Sequence, residues 1–161
     1  MKSSGRPVVR SSGRPRCTVE WAGIDVGEGA RLLAARAVDL ALAQDRLRNR
    51  SLCVLMVDDA ESIRLHREHF GDATPTDVMS FPDGAPDPAS GLTRLGDLAV
   101  GLEVARRVAK QRGRPVDEEI ALYVLHGVLH LLGHDDIEES DREAMWTVQR
   151  AVMTKLGITI D

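Results

Sequence analysis

The run from Ala121 to Asp136, ALYVLHGVLHLLGHDD, constrains this chain more than any other, because it sets two histidines four residues apart in an otherwise apolar stretch. A helix through it has little polar face, so it must be buried on most sides with the rest of the chain packed around it. His126 and His130 project from one face of that helix, one turn apart, where two imidazole nitrogens can reach a single metal ion. A lone histidine on an apolar helix is ordinarily a core residue with a satisfied hydrogen bond. Two at this spacing are harder to place that way, since each unpartnered ring nitrogen would cost about 1 to 3 kcal/mol.

A third donor must come from beyond the helix. Gly133 readily takes the left-handed conformation that ends a helix and turns the chain back. The run then reads H-x-x-x-H-x-x-G-x-x-D, the spacing of the extended metzincin zinc motif up to its last residue, with Asp136 where a third histidine usually stands. Zinc accepts nitrogen or carboxylate oxygen at similar distances of about 2.0 to 2.2 Å, so the exchange is chemically permissible. In peptidases of the H-E-x-x-H type the residue after the first histidine is the glutamate base; here it is Gly127, and the peptidase reading loses its base. A glycine inside a helix also implies close approach of another backbone or of substrate.

Around this helix the periodicities alternate between strand and helix. Cys17 to Trp21 reads as a first strand, Glu28 to about Gln44 as a helix, and Leu52 to Val57, LCVLMV, as a buried central strand. Asp58 with Glu61 forms a capping box for a helix running to Phe70. Thr74 to Pro82 holds a short strand, followed by a loop to Ser90 that is either a mobile lid or a surface connection, and then a strand over Leu95 to Leu102. Arg106, Arg107, Lys110, Arg112 and Arg114 decorate the next helix, which Gly113 and Pro115 end; the default reading is a solvated face, the functional one phosphate contact. Asp117 is expected to cap the histidine helix, and Ser140 with Glu143 to cap the last one. The expected architecture is α+β with α/β-like layers: a mixed sheet of about four strands, helices packed on it, and the metal site on a buried helix.

Charge divides the 161 residues into a basic arm, residues 1–16, and a single domain, residues 17–161. The arm carries five cations and no acid, so of a net charge of -4 the remainder holds -9. Its repeated SSGRP segments, at Ser3 and Ser11, cannot bury enough apolar surface to order themselves. An acidic body needs a local basic face to meet nucleic acid. Aromatics make up only 3%, so RNA binding is expected to lean on charge and shape more than on stacking. Cys17 and Cys53 fit no redox or metal pair and read as reduced thiols of a cytoplasmic protein. No apolar run reaches the roughly eighteen residues of a membrane span.

With His126 to Asp136, the PTDVMSFP segment and the GDLAV strand in hand, the sequence from Cys17 onward resembles the YbeY family of bacterial metal-dependent endoribonucleases. The family hallmark, H-G-x-L-H-L-x-G-x-D-H, is matched by His126, Gly127, Leu129, His130, Leu131, Gly133 and Asp135. The resemblance implies a single-strand-specific RNA hydrolase acting on the ribosome, in maturation of the 3′ end of 16S rRNA and in ribosome quality control, with one zinc ion and no call for DNA or membrane. It carries the first two ligands onto His126 and His130. The third position departs: Asp136 stands where the family usually has histidine. His134 is the rival donor, with the turn geometry favouring Asp136. Phe70 is a second departure, at a position where the family commonly has arginine, and Arg67, one turn earlier, is expected to present a guanidinium to the same space.

The expected chemistry is metal-assisted phosphodiester hydrolysis. Arg67 or Arg94 is the expected cation near the leaving group. Asp77 and Asp135 are candidate bases, although Asp77 equally reads as a turn cap and Asp135 as a group that orients a histidine. His66 and His69 lie three residues apart, and a polar helix surface is their default place. The rival readings are a metal-stabilised ribosome assembly factor that does not cut RNA and, less favoured, a metallopeptidase.

Overall fold

The computed structural model describes residues 14–161, so residues 1–13 of the expected arm lie outside the described residues. Arg16, the arm's last residue, is tied to the body, its amide donating to Asp39 at 2.8 Å and its guanidinium to the Leu47 carbonyl at 3.1 Å. The elements run β1 (Cys17–Gly23), α1 (Glu28–Gln44), β2 (Arg50–Val57), α2 (Asp59–Phe70), β3 (Val78–Pro82), β4 (Thr93–Gly101), α3 (Leu102–Arg112), α4 (Val116–Leu131) and α5 (Glu139–Lys155). The sheet order is β1-β2-β4-β3, with β1, β2 and β4 parallel and β3 antiparallel to β4. This is the expected α+β class, a four-stranded mixed sheet with helices packed on it.

The helix that carries the histidines lies at the centre of the packing. One side of α4, through Ile120, Ala121, Val124 and Val128, meets Leu52, Val54 and Met56 of β2, Leu98 and Val100 of β4, and Ala30, Ala34 and Val38 of α1. Its other side, through Leu122, Leu125 and Leu129, meets Ala37 and Ala41 of α1 and Met145, Val152 and Met153 of α5. The alanines of α1 are small enough to let the two helix axes approach closely. Each large apolar side chain buried this way contributes about 1.5 to 3 kcal/mol, which fixes the histidine helix in place.

Gly127 is buried against the sheet. A Cβ there would meet Leu98 Cδ2 at 2.8 Å and Val78 Cγ2 at 2.9 Å, and its carbonyl accepts the Ser80 hydroxyl at 3.0 Å. The close approach expected at this glycine therefore comes from side chains of β3 and β4, and neither another backbone nor substrate is needed to explain it. A glutamate in this position would be driven into the sheet, which removes the geometric basis of the peptidase reading. Gly127→Ala is expected to cost about 1 to 3 kcal/mol by overpacking, read as a lower midpoint in urea unfolding with an unchanged slope.

Several local expectations shift. β2 is central, but only Leu52, Val54, Met56 and Val57 are buried; Cys53 and Leu55 alternate onto a half-covered face, so the apolar run does not mark a strand enclosed on both sides. β4 starts at Thr93, and the turns before it are stitched by Asp83, Asp87 and Ser90, making the long loop a surface connection. Asp58 caps α2 by accepting the Glu61 amide at 2.8 Å, but the Glu61 carboxylate turns outward to Arg64, so only half the capping box forms. Asp117 does not cap α4: Pro115, whose fixed φ suits helix entry and which has no N–H to satisfy, takes that position, and Asp117, Glu118 and Glu119 supply the negative first turn. Ser140 likewise falls inside α5, whose N-cap is Glu138, with no side-chain cap bond. Cys17 is a buried free thiol, its pKa pushed up to about 12 by burial, while Cys53 is half-buried and also raised, chiefly by burial. No helix among the described residues is long and apolar enough to cross a membrane.

Candidate metal centre

α4 ends in the bend its sequence predicts. Leu132 is the C-cap, Gly133 takes φ 98°, the Gly133 amide donates to the His130 carbonyl at 3.0 Å and the His134 amide to the Leu129 carbonyl at 2.9 Å. This pair of bonds is a Schellman motif, and it reverses the chain so that the following residues return over the last turn of the helix. Asp135 then fixes the turn, its carboxylate accepting the amides of Asp136 at 2.7 Å and Ile137 at 3.1 Å. Arg142 of α5 clamps the same turn from outside, donating to the carbonyls of Asp136 and Ile137, both at 3.2 Å.

The result is a triangle of donor atoms. His126 Nε2 and His130 Nε2 are 3.1 Å apart, and Asp136 Oδ2 lies 3.4 Å from the first and 3.5 Å from the second. Bonds of about 2.0 to 2.2 Å to a tetrahedral ion would place donor atoms about 3.3 to 3.6 Å apart, so the triangle is the right size. The proton inventory points the same way. His126 Nδ1 is 2.5 Å from the Gln149 side-chain oxygen, and His130 Nδ1 is 3.1 Å from the His134 backbone carbonyl. Both partners are acceptors, so each Nδ1 carries the proton and each Nε2 turns a lone pair inward. Two lone pairs and a carboxylate oxygen then face one another at close range, an arrangement that a cation relieves. The donor set therefore fits a single divalent metal, and the three side chains are half-buried, not sealed. The alternative third ligand, His134, contributes its backbone carbonyl and is not in the donor cluster.

Two clefts open from this cluster. The larger, about 770 Å³, reaches His126 and Asp136 and is walled by Thr76, Asp77, Arg112, Tyr123, Arg142 and Trp146 among others. The smaller, about 270 Å³, reaches His126 and His130 and is lined by His66, Phe70, Met79, Ser80 and Pro82 among others. Three of the chain's few aromatic residues, Tyr123, Trp146 and Phe70, thus line the clefts, with Phe70 exposed and Tyr123 buried. Tyr123 stays protonated well above its ordinary range, first because it is buried and then because Glu119 and Asp77 are close.

The other expected site residues divide. Asp77 lines the larger cleft while accepting the Val78 amide at 2.8 Å, so it also holds its own turn. Arg67 is exposed on α2 and lines neither cleft; His66 and Phe70 are the α2 residues that do. Arg94 pairs with Asp83 at 3.0 Å and also lines neither. His66 is held by the Thr74 carbonyl at 2.7 Å and His69 packs edge-on to Phe81, so neither joins a metal cluster among the described residues. Of the five cations on and after α3, Arg107 is taken by Asp59 at 2.7 and 3.2 Å, which holds that carboxyl below its usual range, and only Arg112 faces a cleft.

Gln149 and Arg142 were not singled out from the sequence. Gln149 is only 5% exposed and interrupts the apolar stripe of Met145, Val152 and Met153 on α5; a polar residue on a buried stripe is the signal that marks it. For Arg142, which reaches backbone carbonyls in a turn, no sequence signal exists. Arg142→Ala is expected to loosen the Asp136 turn and weaken affinity for an added divalent metal about tenfold, measured by competition with a chelating dye, with the fold retained by circular dichroism.

A family model described as Endoribonuclease YbeY matches residues 22–157, a span that contains every residue of the donor cluster. The Endoribonuclease YbeY of Micrococcus luteus is 41% identical over 143 residues, 84% of this chain and 88% of that protein. The Chelativorans protein of the same description is 39% identical over 145 residues, 88% of this chain and 86% of that protein. A solution structure from Thermotoga maritima covers 87% of this chain and 92% of its own at a TM-score of 0.58 and 20% identity, a likeness of fold alone.

Proposed function

The chain belongs to the YbeY endoribonuclease family, and from that premise we propose that it hydrolyses single-stranded RNA at the His126, His130 and Asp136 cluster with one zinc ion bound. The observation that carries this reading is the donor triangle of 3.1, 3.4 and 3.5 Å, with both histidines turned to it by acceptors on their far nitrogens. Zinc in that position would supply Lewis acidity, activating a water for attack on a phosphodiester and polarising a phosphoryl oxygen. The chain's own residues do the positioning. Gln149 and the His134 carbonyl keep both Nδ1 protons away from the cluster, Asp135 and Arg142 hold Asp136 to it, and the two clefts that reach the cluster are where the strand would lie.

The proposed substrate is the 3′ end of 16S rRNA and the proposed setting the ribosome in the cytoplasm, with a part in ribosome quality control; both come from the family resemblance. The Arg67 contribution belongs to the same proposal, and unchanged cleavage by Arg67→Ala would remove it. The purified chain, loaded with zinc, is expected to cut single-stranded RNA and a 16S precursor fragment, to spare duplex RNA and DNA, to stop in chelator and to recover with zinc. A zinc-loaded protein that leaves single-stranded RNA intact would overturn the nuclease reading and favour an assembly role.

A further inference from the structure

Glu119 is the one charged residue in the buried core of the described structure, 1% exposed, and its Oε2 has no hydrogen-bond partner there. Its Oε1 is 3.5 Å from Arg112 Nη1. That is longer than the roughly 2.7 to 2.9 Å of a charge-assisted hydrogen bond, so the guanidinium is held by the carboxylate without being used up by it. A carboxylate taken out of water and met only by so long a contact and by the neighbouring Tyr123 hydroxyl is a poor device for stability, because its desolvation is not fully repaid. Its position has another consequence. Gly113, at φ 65°, ends α3 and turns the chain so that Arg112, in the last turn of α3, stands beside the first turn of α4. Arg112 thereby becomes a wall of the larger cleft, with about half of its side chain exposed.

Among the described residues the cleft has one other arginine, Arg142, and that one is committed to the carbonyls of Asp136 and Ile137. Arg112 is accordingly the cleft cation with donors to spare. Glu119 lies seven residues before His126 on the same helix, which at 1.5 Å per residue is about 10 Å along its axis. A single strand carries one phosphate per nucleotide. With a phosphodiester at the metal cluster, the strand leaving through the larger cleft brings the phosphate one or two nucleotides away to Arg112.

Resting on the RNA reading above, we propose that Arg112 is a phosphate-binding residue for the RNA strand in the larger cleft and that buried Glu119 is its positioning residue. The planar guanidinium suits this work, since it can hold a phosphate on one edge while the other faces Glu119. Tyr123, buried in the same wall, stays protonated beside Glu119, so its hydroxyl serves the carboxylate and leaves the phosphate to Arg112.

The test is binding of a labelled single-stranded oligoribonucleotide to the zinc-loaded chain, by fluorescence anisotropy over a salt series. The double variant Arg112→Gln with Glu119→Gln removes both charges together, so neither is stranded in the core. Its log–log salt dependence is expected to be shallower by about 0.7, the value for one lost phosphate contact on a single strand. Arg112→Lys should restore most of the slope. A scan with one neutral methylphosphonate linkage per oligonucleotide should weaken binding to the wild-type chain at a linkage one or two nucleotides from the cut, and leave the double variant indifferent there. In cleavage, KM should rise more than kcat falls. An unchanged slope in the double variant, or weaker binding with an unchanged slope, overturns the Arg112 assignment while the nuclease reading stands. A wild-type chain that neither binds nor cuts the RNA overturns both.

Discussion

Asp136→Ala is expected to release zinc from the cluster and to reduce RNA cleavage to background, whereas Asp136→His keeps both. Alanine leaves two neutral imidazoles, and a divalent ion held by two neutral donors has lost both a bond and its only anionic partner among the three. The loss in zinc affinity should exceed the roughly 100-fold that marks the upper end for a missing supporting hydrogen bond. Histidine in the same turn offers a nitrogen at a comparable bond length, about 2.0 to 2.1 Å, and Asp135 and Arg142 hold the backbone of residue 136 whatever its side chain is. What histidine changes is charge: the cluster becomes one unit less negative. A less electron-rich set of ligands leaves a bound ion the stronger Lewis acid, so the cleavage rate at saturating zinc is expected to equal or exceed that of the wild-type chain. Zinc content after gel filtration, chelator competition and cleavage of a single-stranded RNA measure the three quantities. If Asp136→Ala kept one zinc per chain and its cleavage activity, the third ligand would have to be another group.

The parts of this molecule that the sequence reveals are those built from neighbours in the chain. α1 is found at Glu28–Gln44, as its periodicity predicts, and the histidine pair with the glycine bend after it follows from spacing, whereas the spacing leaves His134 open beside Asp136 and does not give the turn that Asp135 fixes. The misplaced details involve competition between local signals and their surroundings. Pro115 displaces Asp117 from the cap of α4, and Glu61 prefers Arg64 to the capping box because the ion pair satisfies the carboxylate at 2.6 and 2.9 Å. The supporting parts of the site were hidden for a different reason. Gln149 and His126 are 23 residues apart, and although the apolar stripe of α5 shows which face is buried, nothing in either neighbourhood pairs Gln149 with His126. The cleft walls are hidden in the same way: Tyr123, Trp146 and Arg112 come from three helices and acquire a common purpose only when the sheet and the two core clusters set those helices against one another.

That hidden contact has a large expected effect of its own. Gln149→Leu should weaken zinc affinity about 10- to 100-fold while leaving global stability close to wild type. Leucine nearly matches glutamine in size, and at a position only 5% exposed it removes a polar group that is costly to bury, so packing is not the loss. The loss is the acceptor that keeps the His126 proton on Nδ1. Without it the imidazole regains access to the tautomer with its proton on Nε2, and that proton occupies the lone pair directed at the cluster. It must be displaced before His126 can act as a ligand, and the ring also loses its only restraint on rotation at that nitrogen. Gln149→Glu keeps an acceptor in place and is expected to bind zinc at least as tightly as the wild-type chain, which separates the hydrogen bond from side-chain shape. Chelator competition gives the affinities, and nitrogen-15 shifts of the metal-free His126 ring report the tautomer directly. A Gln149→Leu protein with wild-type zinc affinity, or one whose His126 proton still sits on Nδ1, would show that the helix and the bend alone orient the ring.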